Sequence, residues 1–99
     1  MAFQQIMGTH DMRVRIMELE PGAATEWHHH TAVSDFFVCL TGAIRIEARD
    51  PEQVLLLTPG ARAEVAPPRV HRVVNLQDET TEYLLVQGVG GYDFIKEPV

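Results

Sequence analysis

Turn-forming residues divide this chain into short segments, and their spacing limits the possible folds more than any other feature. The turn signals are Pro21-Gly22, Gly42, Asp50-Pro51, Pro59-Gly60 and Pro67-Pro68. The runs between them are apolar or alternate between apolar and polar residues, and none keeps a helical period over the ten or so residues that a helix needs. We therefore predict an all-β fold of about eight to ten short strands, arranged as a sandwich or a closed barrel.

Several of these runs can be placed as strands. The stretch MRVRIMELEPG alternates, with Val14 and Ile16 opposed to Arg13 and Arg15, and it stops at the first Pro-Gly turn. Further strands are expected at about residues 25–30, along FFVCL, at about residues 71–75 and at about residues 83–89.

The length of the chain indicates a single domain. With 99 residues it can build one compact core and is too short for two. We find no linker and no repeat, and we predict one domain over residues 1–99 whose N-terminal strands lie in residues 1–21. The 45% of apolar residues and 22% of charged residues are typical of a folded chain rather than a disordered one.

Charge and cysteine content exclude several classes of protein. The net charge is −6 and lysine and arginine do not cluster, so we expect no nucleic-acid partner. No apolar run is long enough to cross a membrane, and we expect no membrane partner. Because Cys39 is the single cysteine, no intramolecular disulfide can form. With no secretory pattern at the start of the chain, we expect a cytoplasmic location.

The stretch FFVCL, from Phe36 to Leu40, is apolar on both faces of its predicted strand. An antiparallel strand with one wet face would alternate, so something covers its second face. The cover is either other parts of the same chain, such as the N-terminal strands, or a second subunit. Exposed apolar area on so small a protein favours a homodimer.

Three consecutive histidines lie in the stretch EWHHHTAVSD. In a strand, alternate side chains point to the same side, so His28 and His30 face one space while His29 faces the other. Two residues rise about 6.6 Å along a strand, which allows two imidazoles to lean onto one ion at about 2.0 to 2.1 Å. A His-x-His pair alone is weak support for a metal site, because such pairs are more often solvated or packed.

Asp35 and His71 strengthen the prediction of a metal site. Asp35 provides a carboxylate just after the histidine strand, and His71 lies in a later strand behind a proline turn. Three imidazoles and one carboxylate suit a divalent transition metal, and the ligand types allow Fe, Mn, Ni, Zn, Cu or Co.

The spacing of these residues resembles two short motifs of the cupin family. The first motif covers residues 22–42 and the second covers residues 60–75; the matching positions are Gly22, His28, His30, Asp35 and Gly42, then Gly60, His71 and Asn75. Aspartate stands where the family usually has glutamate, Ala66 where proline is typical, and Pro68 where glycine is typical.

The resemblance implies a double-stranded β-helix, also called a jelly-roll barrel. It also implies that a metal is held inside the barrel by His28, His30, the acid and His71. Aspartate is one methylene shorter than glutamate. It could reach the ion after a small strand shift, bind through water, or leave a three-histidine site with an extra open position.

Other polar residues near the motifs have less specific predictions. His29 should point outward with Trp27, and Glu26 shares the face of His28, where it either lines the pocket or is solvated. Cys39 is expected in the core, with pocket lining as the alternative. Asn75 is expected to fix a turn rather than contact a substrate.

These observations support two main hypotheses about function. Phe37 and Val73 suggest an apolar pocket for a small organic molecule, and we see no arginine pair or glycine-rich loop to hold a phosphate. Arg69 and Arg72 flank His71 and could hold a carboxylate at the rim, although solvated arginines are the default. The leading hypothesis is a metal-dependent enzyme, dioxygenase-like or an isomerase or lyase, without an identified catalytic acid or base. The alternative is a module that binds or senses a small molecule, with a structural metal or none.

Overall fold

The computed structural model describes residues 1–98, and these residues form ten β-strands and no helix. The strands are β1 (Ala2–Gly8), β2 (Met12–Leu19), β3 (His28–His29), β4 (Ser34–Thr41), β5 (Ile44–Ala48), β6 (Gln53–Leu57), β7 (Arg62–Val65), β8 (His71–Val74), β9 (Thr81–Gly88) and β10 (Ile95–Lys96). The all-β prediction is confirmed. No helix of the described chain is long and apolar enough to cross a membrane.

The strands form two antiparallel five-stranded sheets. One sheet has the order β1-β2-β9-β4-β7 and the other has the order β10-β3-β8-β5-β6. The chain passes repeatedly from one sheet to the other, so that their inner faces enclose a common core, as in a double-stranded β-helix. The core side chains come from both sheets and include Leu19, Phe37, Ile44, Ile46, Val73 and Tyr83.

Two glycines show why the turn signals lie where they do. Gly42 joins β4 to β5 with a φ of 69°, and Gly60 precedes β7 with a φ of 88°. Side chains other than glycine avoid this left-handed region. At Gly42 a Cβ atom would also lie 2.5 Å from the Cγ2 atom of Thr81. The tight connection between the two sheets therefore requires glycine at this position.

The histidine strand is shorter than predicted. Only His28 and His29 join the ladder, where β3 lies between β8 and β10. Upstream of it, Ala24 makes an isolated bridge to Val74, and the Thr25 amide donates to the Val73 carbonyl at 2.9 Å. Residues 25–30 are thus extended along β8 without forming a continuous strand, and the expectation of one strand over this range is wrong.

The alternation along β2 is confirmed. Met17 and Leu19 are buried on the inner face of the sheet, and Arg13 and Arg15 share that face because they lie four and two positions before Met17. Val14 and Ile16 therefore belong to the outer face, where they are half-buried. Two basic side chains consequently point into the barrel.

The outer face of the first sheet is apolar and is not covered by the described residues. In the cross-strand register, Val86 lies between Val14 and Phe36, and Leu84 lies between Ile16 and Val38. Phe36 remains 37% exposed and Leu40 39% exposed. The alternative in which FFVCL is covered within the monomer is therefore wrong, because β1 and β2 lie in the same sheet as β4 rather than on top of it.

Candidate metal centre

Four buried side chains meet inside one end of the barrel. His28 and His71 are partners in the ladder between β3 and β8, His30 follows β3, and Asp35 projects from β4 in the opposite sheet. None is more than 5% exposed. One potential ligand atom from each of the four lies within 4.8 Å of the others. The structure therefore brings together all four residues that the sequence predicts as ligands.

Hydrogen bonds to the backbone set the tautomer of each imidazole. The Nδ1 atoms of His28, His30 and His71 lie 2.7, 2.6 and 2.9 Å from the carbonyl oxygens of Glu26, Asp93 and Arg69. A carbonyl oxygen only accepts, so each Nδ1 carries the hydrogen and donates it. This leaves the Nε2 lone pair of each neutral ring available for an ion, as at metal sites whose histidines are oriented through their other ring nitrogen.

Asp35 completes the donor set. Its Oδ2 atom lies 3.1 Å from Nε2 of His30 and 2.7 Å from Nε2 of His71. A carboxylate oxygen and a neutral Nε2 atom both present lone pairs, so these contacts require a positive charge between them, either a proton or a metal ion. Neighbouring ligands about 2.1 Å from one ion and at right angles would be about 3 Å apart. The separations therefore fit a shared cation.

The protonation equilibria of the cluster depend on burial and on Asp35. Burial, together with the neighbouring His71 and His30, lowers the pKa of His28 to about 4. Burial also opposes the charged form of His30, but the hydrogen bond and the charge of Asp35 raise its pKa above the usual value. Burial disfavours the Asp35 carboxylate too, yet the hydrogen bonds from His30 and His71 hold its pKa well below the usual range. The cluster thus keeps an ionised carboxylate ready for a cation.

The donor chemistry of this cluster fits a transition metal. Three imidazole nitrogens and one carboxylate oxygen form a mixed set typical of divalent first-row ions. A six-coordinate ion held by these four residues would keep two positions for other ligands. The cluster is therefore able to bind a metal, and its composition is compatible with several of the ions that the sequence analysis names.

A cavity of about 310 Å³ adjoins the cluster. This volume lies at the lower end of the range usual for sites that bind small molecules. His28, His30 and Asp35 form part of its wall, and the apolar part includes Met17, Phe37, Val73, Leu85 and Phe94. The predicted apolar pocket around Phe37 and Val73 is thus present, and a small molecule in it would lie beside the cluster.

Comparison with known proteins identifies the family. The model of the cupin domain matches residues 15–87, which include both motifs and all four residues of the cluster. The chain belongs to the cupin family. No curated protein sequence matches this cupin.

Solved structures similar to this cupin share its fold. An uncharacterised conserved protein with a double-stranded β-helix domain from Klebsiella pneumoniae is 22% identical, with a TM-score of 0.83, over 98% of this chain and 84% of that one. A sugar phosphate isomerase of the cupin superfamily from Silicibacter pomeroyi is 22% identical, with a TM-score of 0.71, over 91% and 70% of the two chains. The cupin domain of a transcriptional regulator of the XRE family from Enterobacter cloacae is 17% identical, with a TM-score of 0.79, over 90% and 96%. At these identities the likeness shows the fold alone.

For most of the other polar residues near the cluster of this cupin, the structure agrees with the sequence prediction. His29 points away from the cluster, and its Nδ1 atom is hydrogen-bonded to the side chain of Glu97. Glu26 lines the cavity, but its side chain is 61% exposed and pairs with Lys96 at 3.3 Å. Cys39 is buried in the core and does not line the cavity, and burial raises the pKa of its thiol.

Asn75 stabilises a turn, as predicted, and is fully buried. Its amide nitrogen lies 3.0, 3.1 and 2.8 Å from the carbonyl oxygens of Leu19, Glu20 and Glu79, and its Oδ1 atom accepts from the Gln77 amide at 2.9 Å. One side chain thus ties the loop before β9 to the end of β2.

Gln87 is a site residue that the sequence analysis missed. It is 4% exposed, and its Nε2 atom donates to Oδ1 of Asp35 at 2.8 Å. This hydrogen bond leaves Oδ2 facing the imidazoles. Gln87 lies directly opposite Asp35 where β9 pairs with β4, so cross-strand register is the signal that could have found it.

The C-terminal segment also contributes to the site. The ring of Phe94 stacks on His28 with centroids 4.3 Å apart, and the ring of Tyr92 lies 5.5 Å from that of His30. The side chain of Asp93 accepts hydrogen bonds from the amide and the hydroxyl of Thr31 at 2.9 and 2.5 Å, while its carbonyl accepts from His30. This segment therefore forms one wall of the cavity and orients a predicted ligand.

Proposed function

We propose that this cupin is a metal-dependent enzyme that acts on a small organic molecule, with the ion held by His28, His30, Asp35 and His71. One observation carries the proposal. Three Nε2 atoms and one carboxylate oxygen converge with their lone pairs at the wall of a cavity large enough for a small substrate. A purely structural ion would have no need of an adjoining cavity.

Each part of the site has a role in this proposal. When bound, the ion would act as a Lewis acid towards substrate oxygens, and a redox-active ion would also allow dioxygenase-like chemistry. Backbone carbonyls hold the imidazoles in the ligating tautomer, and Gln87 aims the carboxylate. The apolar wall formed by residues such as Phe37 and Leu85 excludes water from the bound molecule.

The cavity offers few groups for acid and base catalysis apart from the cluster. Glu26 is exposed and already paired with Lys96. Burial, together with the charge of Asp35, raises the pKa of Tyr83, so this phenol stays protonated and cannot act as a base at neutral pH. We therefore place the chemistry at the metal. Oxygenase chemistry and isomerase or lyase chemistry at a polarised carbonyl both fit, and a similar fold serves in the sugar phosphate isomerase.

A binding module is the second candidate, and the cupin domain of the transcriptional regulator favours it. In that case the cavity would hold a ligand without turnover, and the ion would be structural or absent. Bound metal with turnover supports the enzyme, whereas ligand binding without turnover supports the module.

The test is metal analysis of the untagged protein, purified without chelator, beside two variants. His71→Ala removes a ligand, whereas His29→Ala changes a neighbouring histidine that contacts Glu97 instead. We expect about one equivalent of transition metal in the wild type and in His29→Ala, and none in His71→Ala. Oxygen uptake and product analysis with candidate substrates would follow. Absence of metal from the wild type even after reconstitution would overturn the enzyme proposal.

We also propose that a second copy of the chain covers the outer face of the first sheet, as the sequence predicts for FFVCL. Support comes from the apolar row in which Phe36 is exposed and Val86 and Val14 are half-buried. Phe36→Glu should give a monomer in sedimentation, whereas Leu56→Glu, at a 68% exposed position on the other sheet, should not. A monomeric wild type would contradict this proposal.

A further inference from the structure

Two arginines lie on the inner face of the sheet that carries Asp35. Arg13 pairs with Gln87 across β2 and β9, and Gln87 pairs with Asp35 across β9 and β4. Directly opposite residues in antiparallel strands point to the same side, and neighbouring strands are about 4.8 Å apart, so the backbone of Arg13 is about 10 Å from that of Asp35 in one row. Arg15 occupies the next inward position of β2 and lines the cavity.

Aromatic rings fix the planes of both guanidinium groups. The Cζ atom of Arg13 lies 3.5 Å from the centroid of the Tyr92 ring, and the Cζ atom of Arg15 lies 4.2 Å from the centroid of the Phe3 ring. Stacking holds a guanidinium while leaving the N–H donors at its edge available. Tyr92 in turn contacts His30, so one arginine is held directly beside the predicted metal centre.

Neither arginine has a carboxylate partner among residues 1–98. Arg15 donates through Nε to the side-chain oxygen of Gln5 at 3.2 Å, and Nε of Arg13 is buried without any acceptor. Nε of Arg45 is likewise buried without an acceptor, but the guanidinium groups of Arg45 and Arg72 both pair with Glu47, at 2.6 and 2.7 Å. The charges of Arg13 and Arg15 have no such carboxylate beside them, and an anion in the cavity would compensate them.

Electrostatics inside the barrel favour the same conclusion. Burial lowers the pKa of Arg15 from its usual value, and the charge of Arg13 lowers it further. A divalent ion would exceed the single negative charge of Asp35, and the nearby Glu26 is exposed and paired with Lys96. With a divalent ion bound, the cavity would therefore carry a surplus of positive charge, which an anionic substrate would neutralise.

We infer that the substrate is a small carboxylate, bound through its carboxylate group by Arg15, which lines the cavity, with Arg13 beside Tyr92 adding positive charge, while its other end faces the metal cluster. This inference rests on the proposed function, because it names the substrate class of the same site. It also corrects the sequence analysis, which saw no arginine pair. Arg69 and Arg72, its candidates at the rim, bond instead to groups near residues 47–53.

A carboxylate fits this site better than a phosphate. Guanidinium edges bind a planar carboxylate through two parallel hydrogen bonds. Phosphate sites commonly add backbone amides at a helix N-terminus, and residues 1–98 contain no helix. The rest of the cavity wall near Arg15 is apolar, with Met17, Phe37 and Leu85. A single charged group with a short carbon skeleton therefore matches the cavity.

The test compares acids with their amides on cobalt-loaded protein. Small 2-hydroxy, 2-oxo and dicarboxylic acids of two to six carbons, their amides and inorganic phosphate would be titrated, with the visible cobalt absorption and calorimetry as readouts. We expect at least one acid to bind about tenfold or more tighter than its amide, and Arg13→Gln and Arg15→Gln each to reduce that preference about tenfold.

Arg49→Gln is the matched control, because Arg49 is also half-buried and stacked on an aromatic ring, but its ring, that of Trp27, does not line the cavity, whereas Phe3 and Tyr92 do. Its acid preference should stay as in the wild type. Arg15→Lys keeps the positive charge but lacks the paired N–H donors of the guanidinium group. An intermediate affinity in this variant would show that the loss of binding in Arg15→Gln is not a folding defect. The cobalt content of every sample would be measured alongside.

Three results would overturn the inference. These are equal binding of acids and amides, an acid preference that survives in both arginine variants, and phosphate binding as tight as that of the best acid. Failure of the proposed function is a separate result, since it would show as missing cobalt. The acid and amide comparison would then be repeated on metal-free protein, where binding that depends on the arginines would still be measured by calorimetry.

Discussion

The two ends of the barrel interior differ in chemistry although the same strands build both. Along β4 the inward residues change from Asp35 to Phe37 and Cys39, and along β9 they change from Gln87 to Leu85 and Tyr83. The polar residues of each strand meet at one end, and the apolar residues fill the other. Position along a strand, rather than the choice of strand, separates the site from the core.

This difference has an energetic meaning. The apolar end includes Leu19 and Ile46, both 0% exposed, and such burial drives folding. The polar end buries three imidazoles and a carboxylate, which opposes folding unless hydrogen bonds and a cation compensate. Changes at the polar end should therefore affect metal binding first, and changes at the apolar end should affect stability first.

The largest expected effect is loss of the metal from the polar end. Asp35→Ala and His28→Ala should each remove a ligand and lower metal affinity by more than the roughly 100-fold typical of residues outside the ligand shell. Metal titration with a competing chelator would measure this loss. Glu26→Ala, at an exposed position beside the cavity, should leave the affinity unchanged.

The relative losses would also decide the role of Asp35. Comparable losses in the two variants would support direct ligation by the carboxylate. A much smaller loss in Asp35→Ala would place the carboxylate outside the ligand shell, and an equal loss in Glu26→Ala would contradict the proposed ligand set.

At the apolar end, Ile46→Ala should destabilise the fold while sparing the metal. The side chain is fully buried between β6 and β8, and its truncation leaves a cavity, so the free energy of unfolding should fall by about 3 kcal/mol. Urea unfolding would measure the change, with metal content determined on the folded sample.

Leu56→Ala provides the control for Ile46→Ala, because this leucine is 68% exposed. It should change the free energy of unfolding by no more than about 0.5 kcal/mol. If Ile46→Ala lost the metal as completely as His28→Ala does, the two ends of the barrel would not be separable.

Gln87 lies at the polar end, and its substitution tests whether Asp35 needs a positioning residue. Gln87→Ala removes the donor to Oδ1 of Asp35, so the carboxylate is no longer aimed at the imidazoles, and metal affinity should fall by about 10- to 100-fold. The same chelator competition would measure this, and Gln53→Ala, on an exposed part of β6, is the control. Unchanged affinity in Gln87→Ala would show that Asp35 needs no positioning residue.

Much of the fold could be predicted from the sequence because its signals are local. Glycines and prolines at the turns and the alternation along β2 require only neighbouring residues. N-terminal strands were predicted in residues 1–21, but the bounds of β1 were not, since a bulge between Gln5 and Met7 shifts its register. The shortness of β3 was missed because pairing partners, rather than its own residues, determine where it ends.

Part of the site could also be predicted, because some of its signals are local. The alternation of His28 and His30 is local, and the family motifs added Asp35 and His71. Gln87 reaches the site, and Arg13 reaches the position beside Gln87, only through the register of β9 with its two neighbours, which no local pattern specifies. Residues 92–94 reach it because the C-terminal segment pairs with β3, a contact between the distant parts of the chain.

The smallest expected effect concerns the metal-free protein at acid pH. The folded pKa of His28 is about 4, below the unfolded value of 6.5. Between these values the unfolded chain binds a proton that the folded chain does not, so stability is fully present above pH 6.5 and falls as the pH is lowered towards 4. Because His28 lines the cavity, where solvent would screen a charge on its ring, we expect a loss of about 1 kcal/mol rather than the full value.

The other ionisable members of the cluster with shifted pKa values act outside this window. His30, whose folded pKa is raised, contributes stability that is lost as the pH rises above 6.5, and Asp35, whose folded pKa is lowered, contributes stability that is lost only below its unfolded value of 3.8. Urea unfolding with chelator between pH 4 and pH 6.5 therefore separates the contribution of His28 from those of His30 and Asp35. His28→Gln should flatten the slope, because glutamine does not titrate; a slope that stayed the same would assign the acid sensitivity to groups away from the polar end.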